Sequence, residues 1–513
     1  MKLFFSLALF CFATFTCLVS QPDIEWQKSL GGTHMDYGRA MLSAGDGGYL
    51  MAGYSDSSDG DLTSNHGFED CWLLKMDGAG TVLWSKSYGG NDEDYPTALL
   101  ATSDGGYIMS AVTSSNNGDI TLNHGGNDYW IVKLDTNGTI QWQKTYGGTS
   151  GDYARDIQLT SDGGYIVAGA TFSNDGDVTG SHGSYDYWVL KLNENGDLLW
   201  QKTFGGSGFD YANAIQNTSD GGYLLAGYST SNDGDVSGNH GGGDYWLVKL
   251  DSGGGIQWQE SLGGPGEDYA SALTTIWDGG YVVAGRSKSL GGNVSDNHGG
   301  YDDWVVKIDE DGGLVWETSL GGGMDDYAVS IEPTTDNGFV VAGKSSSSDG
   351  DATENKGGTD FWVVKLDIDG ALQWQKSMGG TADDYAYSAK PTTDGGFIVT
   401  GESASNNGDV SGNHALTDAW VVKLAGVSST RESIQPIEWQ LFPNPASRFI
   451  QIALAENRPG TVAVLSDWLG RQLFSSMFDQ TCRMDVAGLP SGIYVLSVKT
   501  ADGRLFQKKV MKQ

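Results

Sequence analysis

Seven tryptophans, Trp72, Trp130, Trp188, Trp246, Trp304, Trp362 and Trp420, follow one another at intervals of 58 residues. A second set, Trp26, Trp84, Trp142, Trp200, Trp258, Trp316 and Trp374, keeps the same step. The chain therefore carries seven copies of one unit without slippage. Self-similarity at a fixed period marks a repeat architecture, in which each unit buries its apolar face against its neighbours. Most of a 513-residue chain can then be one large domain instead of several.

Residues 152–206 show what is repeated. Weak alternation from Ala154 to Thr160 stops at Ser161-Asp162-Gly163-Gly164, and Tyr165 to Ala170 is a β-rich run. A polar stretch from Thr171 to Tyr185 follows. Tyr187 to Leu192 is a third strand, Asn193-Glu194-Asn195-Gly196 a turn, and Asp197 to Phe204 a fourth strand carrying Trp200. Asp-Gly-Gly and Asn-Gly supply the positive φ of tight hairpins. Nothing has helical period.

Four antiparallel strands, seven times over, predict an all-β fold: a seven-bladed β-propeller spanning residues 22–425. An open solenoid would need capping repeats, and the ends of the array argue for closure. Ile24 to Leu30 reads as a fourth strand with no three before it; Trp420 to Leu424 reads as a third strand with no fourth after it. The N-terminal strand can complete the last blade, which removes the open edges. We expect a monomeric propeller, a linker at 426–436 and a separate small domain at 437–513.

The formal net charge is −35, carried by the repeats, because residues 436–513 hold nine Lys/Arg against six Asp/Glu. Nucleic acid is therefore not an expected partner, since phosphate binding needs a basic stripe. Lys2, the apolar run Leu3 to Val19 and small or polar Ser20-Gln21 read as a secretory signal peptide, residues 1–20. No other segment approaches the ~20 apolar residues of a membrane helix. Cys71 and Cys482 are the only cysteines outside that leader, too few for a disulfide framework.

In a four-stranded meander the 1–2 and 3–4 turns share one face of the disc, and the 2–3 and 4–1 loops share the other. The second pair is long and polar, and long loops on a rigid scaffold are where function usually sits. The 2–3 loop repeats Asp-Gly-Asp and then Asn-His-Gly. Its second Asp is Asp61, Asp119, Asp177, Asp235, Asp351 and Asp409, with Asn293 in the fifth unit. Its His is His66, His124, His182, His240, His298 and His414, with Lys356 in the sixth. These residues are the expected ligand-face set. The pairs Asp59/Asp61, Asp175/Asp177 and Asp233/Asp235 could hold Ca²⁺, which takes about six to eight oxygens; the alternative is local turn capping. Histidines spread around a ring are too far apart to share one metal, so bonding within each loop is expected. The Asp-Tyr pairs that begin at Asp36, Asp94 and Asp152 are assigned to the 4–1 loop. The mid-strand lysines (Lys75, Lys133, Lys191 and their repeats) need partners, because a buried unpaired charge is costly. A recurrent bond to those Asp residues is expected. No odd carboxylate pair and no catalytic triad stands out. Residues that break the period are Arg155, Trp277, Arg286, Lys288, Leu290, Lys344 and Lys356.

The C-terminal segment contains Leu441-Phe442-Pro443-Asn444-Pro445, then Leu469-Gly470-Arg471, then Leu489-Pro490-Ser491-Gly492-Ile493-Tyr494, and ends near Lys508-Lys509-Val510. In that order it resembles the type A C-terminal sorting domain of the type IX secretion system, with Pro443, Asn444, Pro445, Gly470, Gly492 and Tyr494 as motif residues. The resemblance implies a small β-sandwich, recognition by the secretion translocon and release or attachment at the outer cell surface. The repeats resemble secreted bacterial propellers with Asp-Gly-Gly-Tyr and Trp-Val-Val-Lys-Leu blades, some of them labelled endoglucanase-like. Leu134 to Trp142 is also similar to the tryptophan-docking motif of quinoprotein propellers, which implies Trp packed between blades and no quinone here. The function expected is binding or adhesion to an extracellular glycan or protein ligand. The alternative is a polysaccharide-degrading, endoglucanase-like glycoside hydrolase.

Overall fold

A computed structural model of the chain describes residues 21–512 except 63, 277–278, 427–438, 455–460, 467–471 and 500–504. The expected signal peptide and nearly all of the expected linker lie outside these residues. No helix occurs among the described residues, and the chain divides into two compact units at residues 427/428.

The first unit is a ring of seven four-stranded antiparallel sheets. Blade 3 is typical: Asp152–Leu159, Tyr165–Thr171, Asp186–Leu192 and Leu198–Phe204, hydrogen-bonded in sequence order. Blade 7 takes three strands from the end of the array, Asp384–Pro391, Phe397–Ser403 and Asp418–Leu424, and its fourth from the beginning, Ile24–Leu30. Ser29 pairs with Trp420 and Leu30 with Ala419, as the period demands. The seven first strands neighbour one another around the axis.

Burial explains the sequence pattern. Second and third strands lie between adjacent blades and are buried on both faces. The third-strand tryptophans fill the core, and each donates its indole N–H to a fourth-strand acceptor, as Trp188 does to Gln201 Oε1 at 2.9 Å. The fourth-strand tryptophans dock on the 3–4 turn of the following blade. Gly138 has φ +72°, and a Cβ there would lie 2.9 Å from Trp84. Glycine is therefore required twice over, for the left-handed turn and for the ring packed on it.

One expectation is corrected. The Asp-Tyr pairs do not belong to the 4–1 loop but open the first strand of each blade, as Asp152-Tyr153 does. Tyr95, Tyr211 and Tyr269 of these pairs line the axial cavity, while the aspartates are buried.

The second unit holds two sheets, one of Trp439–Phe442, Phe449–Leu454 and Thr481–Asp485, the other of Thr461–Ser466, Gln472–Phe478, Gly492–Lys499 and Leu505–Lys512. Their shared core includes Ile450, Ile452, Leu465 and Leu496, the small β-sandwich expected.

Candidate functional site

The loops facing the 4–1 side are first of all a scaffold. Asp152 is fully buried; it accepts hydrogen bonds from Thr171 and Ser173 and from the Gly148 amide at 2.8 Å. Its equivalents in the other blades are likewise buried. Asp128, which opens the third strand of blade 2, comes in from the other side, and Gly147 is wedged between the two. A Cβ on Gly147 would lie 2.2 Å from Asp128 Oδ1 and 2.8 Å from Asp152 Oδ2. Burial raises several of these carboxyls to about 6, Asp36, Asp94 and Asp128 among them, against the lowering effect of their hydrogen bonds.

The expected ligand-face residues are built into this scaffold. Asp61, Asp119, Asp177, Asp235, Asp351 and Asp409 accept the amide N–H of the first glycine of the 4–1 loop, Gly31 and its equivalents, at 3.1 to 3.4 Å. Asn293 does the same for Gly263 at 3.2 Å. Asp59, Asp175 and Asp233 accept the N–H of Thr33, Thr149 and Ser207, which holds their carboxyls below the usual range. Each carboxylate of the candidate calcium pairs thus already has one oxygen on a backbone donor. Among the described residues no group of three or more His, Cys, Asp or Glu converges as a metal site.

The histidines bond within their own loops. Nδ1 of His66, His124, His240, His298 and His414 lies 2.6 to 2.9 Å from the Asp that opens the following strand, and that of His182 lies 3.5 Å away. In blade 2 the far side of the ring faces the next blade, with His124 Nε2 3.8 Å from Asp177. Lys356, in the sixth unit, pairs with Asp409 across the same seam. His124 and Lys356, at equivalent positions, thus both reach the loop Asp of the next blade.

The strand lysines pair differently from expectation. Lys75, Lys133, Lys191, Lys249, Lys365 and Lys423 bond the Asp of the 1–2 turn, Asp46, Asp104, Asp162, Asp220, Asp336 and Asp394, at 2.7 to 3.0 Å. The Asp-Tyr residues lie at the opposite end of the blade, out of reach. The 1–2 turn presents its Asp beside the third strand, so the ammonium at the strand's end meets it directly.

One set of residues that differ from unit to unit faces the axis. Each first strand carries a β-bulge after its third residue, at Gly38/Ala40, Ala154/Asp156 and equivalent positions. The unpaired residues are Arg39, Thr97, Arg155, Asn213, Ser271, Val329 and Tyr387. A bulge re-aims its side chain, and these seven point into one axial cavity of about 760 Å³. Facing each Asp-Tyr tyrosine across the strand pair is a second variable position: Tyr54, Val112, Ala170, Tyr228, Arg286, Lys344 and Glu402. Asp and Tyr beside them never change. Variation at these two positions breaks the sevenfold symmetry of the rim.

The rim has two characters. Over blades 3 and 4 it is aromatic: Tyr185 lies against Tyr211 (ring centroids 4.9 Å apart) and Phe209 (6.2 Å), and Tyr211 stacks on Tyr228. Elsewhere cations lie over rings. Arg286 is 4.8 to 5.3 Å from the centroids of Tyr269, Tyr301 and Tyr327, Lys344 is 4.0 Å from Tyr385, and Arg39 is 3.9 Å from Tyr387. Buried Glu402, whose carboxyl burial raises, balances Arg39 and Lys344 in part. Burial also pushes the Tyr37 and Tyr95 hydroxyls up to about 12, so they remain neutral hydrogen-bonding groups. Arg155, Arg286 and Lys344 are legible in the sequence as departures from the period; their convergence is not, because it depends on the bulge and on Tyr lying in the strand.

In the second unit, Asn444 Oδ1 accepts the Met511 amide at 2.8 Å and the Tyr494 hydroxyl donates to Pro490 O at 2.8 Å. Gly492 opens its strand, while Gly470 lies outside the described residues. Residues 440–513 match the secretion system C-terminal sorting domain family. The two units thus define a class, a repeat propeller carrying a type IX sorting tail, and the protein is secreted or attached to the outer cell surface. Over 407 residues the chain is 24% identical to the regulatory protein FlaEY of Caulobacter vibrioides, covering 70% of this chain and 42% of that one. The chain thus spans less than half the length of that relative. Among solved structures it is similar to a puromycin hydrolase (11% identity, TM-score 0.44, 82% of this chain and 60% of that one). It is also similar to YCF48 bound to D1 peptide (8%, 0.41, 80% and 99%). A third likeness is to PorZ, a type IX secretion component of Porphyromonas gingivalis (10%, 0.35, 90% and 58%). Scores this low bear on no function.

Proposed function

We propose that the chain is a surface-displayed binding protein whose extracellular ligand, a glycan or a protein, is taken at the axial mouth of the propeller. One observation carries this reading: the bulge side chains, which differ from unit to unit, converge on one cavity, while the recurring loop residues bond within and between the blades. A cavity of about 760 Å³ with a mixed aromatic and polar lining falls in the range of small-ligand sites. The sorting tail delivers such a site to the outside of the cell, where its ligand is met. The polysaccharide-cleaving alternative needs two carboxylates flanking the bound sugar, and among the described residues lining the cavity none is Asp or Glu.

The test is binding of the mature chain to arrayed extracellular polysaccharides and proteins, with reducing-end release measured in parallel. Tyr185→Ala/Tyr211→Ala at the mouth should abolish binding, and His240→Ala in an outer loop should leave it intact. The reverse pattern refutes the reading, and release of reducing ends establishes the hydrolase instead.

A further inference from the structure

The first unit has only three arginines between residues 21 and 426, Arg39, Arg155 and Arg286, against sixteen lysines. All three line the axial cavity. Most lysines serve turns, seams and outer strands, with Lys288 and Lys344 at the rim, whereas arginine occurs nowhere else in the unit. From this, and resting on the reading of the mouth as a binding site, we propose that the ligand is a saccharide bearing carboxylate groups, gripped by Arg155 and Arg286.

The argument is one of unused donors. None of the three arginines lies within ion-pairing distance of a carboxylate among the described residues. Arg39 has the Tyr54 hydroxyl at 2.7 Å and the nearby charge of Glu402. Arg155 and Arg286 have only ring faces, and Arg286 Nε is buried with no acceptor. Leaving a buried guanidinium donor unmet is costly, and an oxyanion arriving through the mouth meets it. A guanidinium stacked on a tyrosine keeps its in-plane N–H edges free, and that fork matches a carboxylate in a way an ammonium does not. This accounts for arginine rather than lysine at the two positions. The rest of the lining favours a sugar over an acidic peptide. Tyr185, Tyr211, Tyr228 and Tyr269 offer flat faces for the C–H side of a pyranose and hydroxyls for its polar edge. Val329 and Pro96 are the only aliphatic side chains there, too few for peptide side-chain pockets.

Selectivity follows from the setting. A net charge of −35 repels polyanions in general, but at physiological ionic strength that field fades within about 8 Å. A chain end or short segment that enters the mouth feels the arginines and not the outer surface.

The experiment is titration calorimetry of the mature full-length chain with three probes: uronic-acid oligosaccharides, the same oligosaccharides after carboxyl reduction, and oligoglutamate. The proposal predicts that only the first binds, and that Arg155→Gln and Arg286→Gln each weaken it at least about tenfold. Arg155→Lys should fail to restore it. Arg155→Gln guards against a folding artefact, because Arg155 lies over the Tyr211 ring alone whereas Arg286 lies among three rings, and unchanged melting certifies each variant. Equal binding of the reduced probe, tight binding of oligoglutamate, or no binding by any probe overturns the proposal. If a neutral saccharide or a protein instead binds at the mouth, insensitive to the arginine variants but abolished by Tyr185→Ala/Tyr211→Ala, the acidic-sugar inference fails while the binding site stands. If the tyrosine variants also leave binding of every ligand intact, both fall.

Discussion

Trp420 donates its indole N–H to Gln27 Oε1 at 2.7 Å, joining residues 393 positions apart in the sequence. The same bond lies within a single hairpin in blades 2, 3 and 4, from Trp130 to Gln143, Trp188 to Gln201 and Trp246 to Gln259. The N-terminal strand is therefore an ordinary fourth strand that happens to be supplied from the other end of the array. Deleting residues 21–30 should leave the third strand of blade 7 as a bare edge. We expect broad, non-cooperative melting and concentration-dependent association, read by calorimetry and light scattering. Gln27→Ala, which removes one bond, should cost about 1 kcal/mol and preserve a single transition.

The pairing of strand lysines with turn aspartates makes an asymmetric prediction. Lys191 is almost wholly buried and meets Asp162, Thr160 and the Leu192 carbonyl. Asp162→Ala should destabilise the propeller by roughly 1–3 kcal/mol in urea unfolding, because it strips a buried ammonium of its carboxylate. Lys191→Met should cost less, since an apolar chain of similar length needs no partner. Equal losses would mean that the ion pair is not what holds the turn.

The buried seam carboxylates set a pH dependence. Asp36, Asp94 and Asp128 are raised from 3.8 to about 6 in the folded chain. Between those values the folded state binds more protons than the unfolded, so stability falls as pH rises through the window. His298 and His414 act in the same sense. Burial lowers them, but the bonds and charges of their aspartates raise them on balance, so their contribution is present below 6.5 and is lost as pH rises through the higher folded value. The melting temperature should therefore climb by several degrees from pH 8 to pH 5. A fall over that range would contradict the burial assigned to these groups.

Calcium offers a further check on the loops. Each carboxylate of Asp59/Asp61, Asp175/Asp177 and Asp233/Asp235 already anchors a backbone amide through one oxygen, so the loops are held without a cation. The melting temperature should thus be the same in calcium and in chelator. A chelator-induced drop of more than a degree or two would show that the cation, not the amides, orders these loops.

Much of the fold is legible in the residues. The unbroken tryptophan period, the orphan strand at each end and the Asn-Gly and Asp-Gly-Gly turns specify blade number, closure and handover. The mouth is harder to read. Asp152-Tyr153 looks like loop sequence because Asp is rare in strands, yet it opens one, its carboxylate satisfied by Thr171 and Ser173 that lie far along the chain. The bulge at Arg155 has no sequence signature of its own. Aligning the seven units column by column does expose it, since the columns of Arg155 and Arg286 mix charged, aromatic, polar and aliphatic residues while the Asp-Tyr columns are constant. Lys191 is read correctly as a residue needing a partner, and the partner is misplaced because Asp recurs at several points in each unit.

Hydrogen–deuterium exchange of the mature chain, with and without a ligand drawn from the binding arrays, tests the central claim most directly. The account predicts protection concentrated where the first strands begin, around residues 153–156, 211–214 and 269–272, with the outer fourth strands unchanged. Protection spread equally over seven outer loops, or confined to strands such as Leu198–Phe204, would contradict a single axial site.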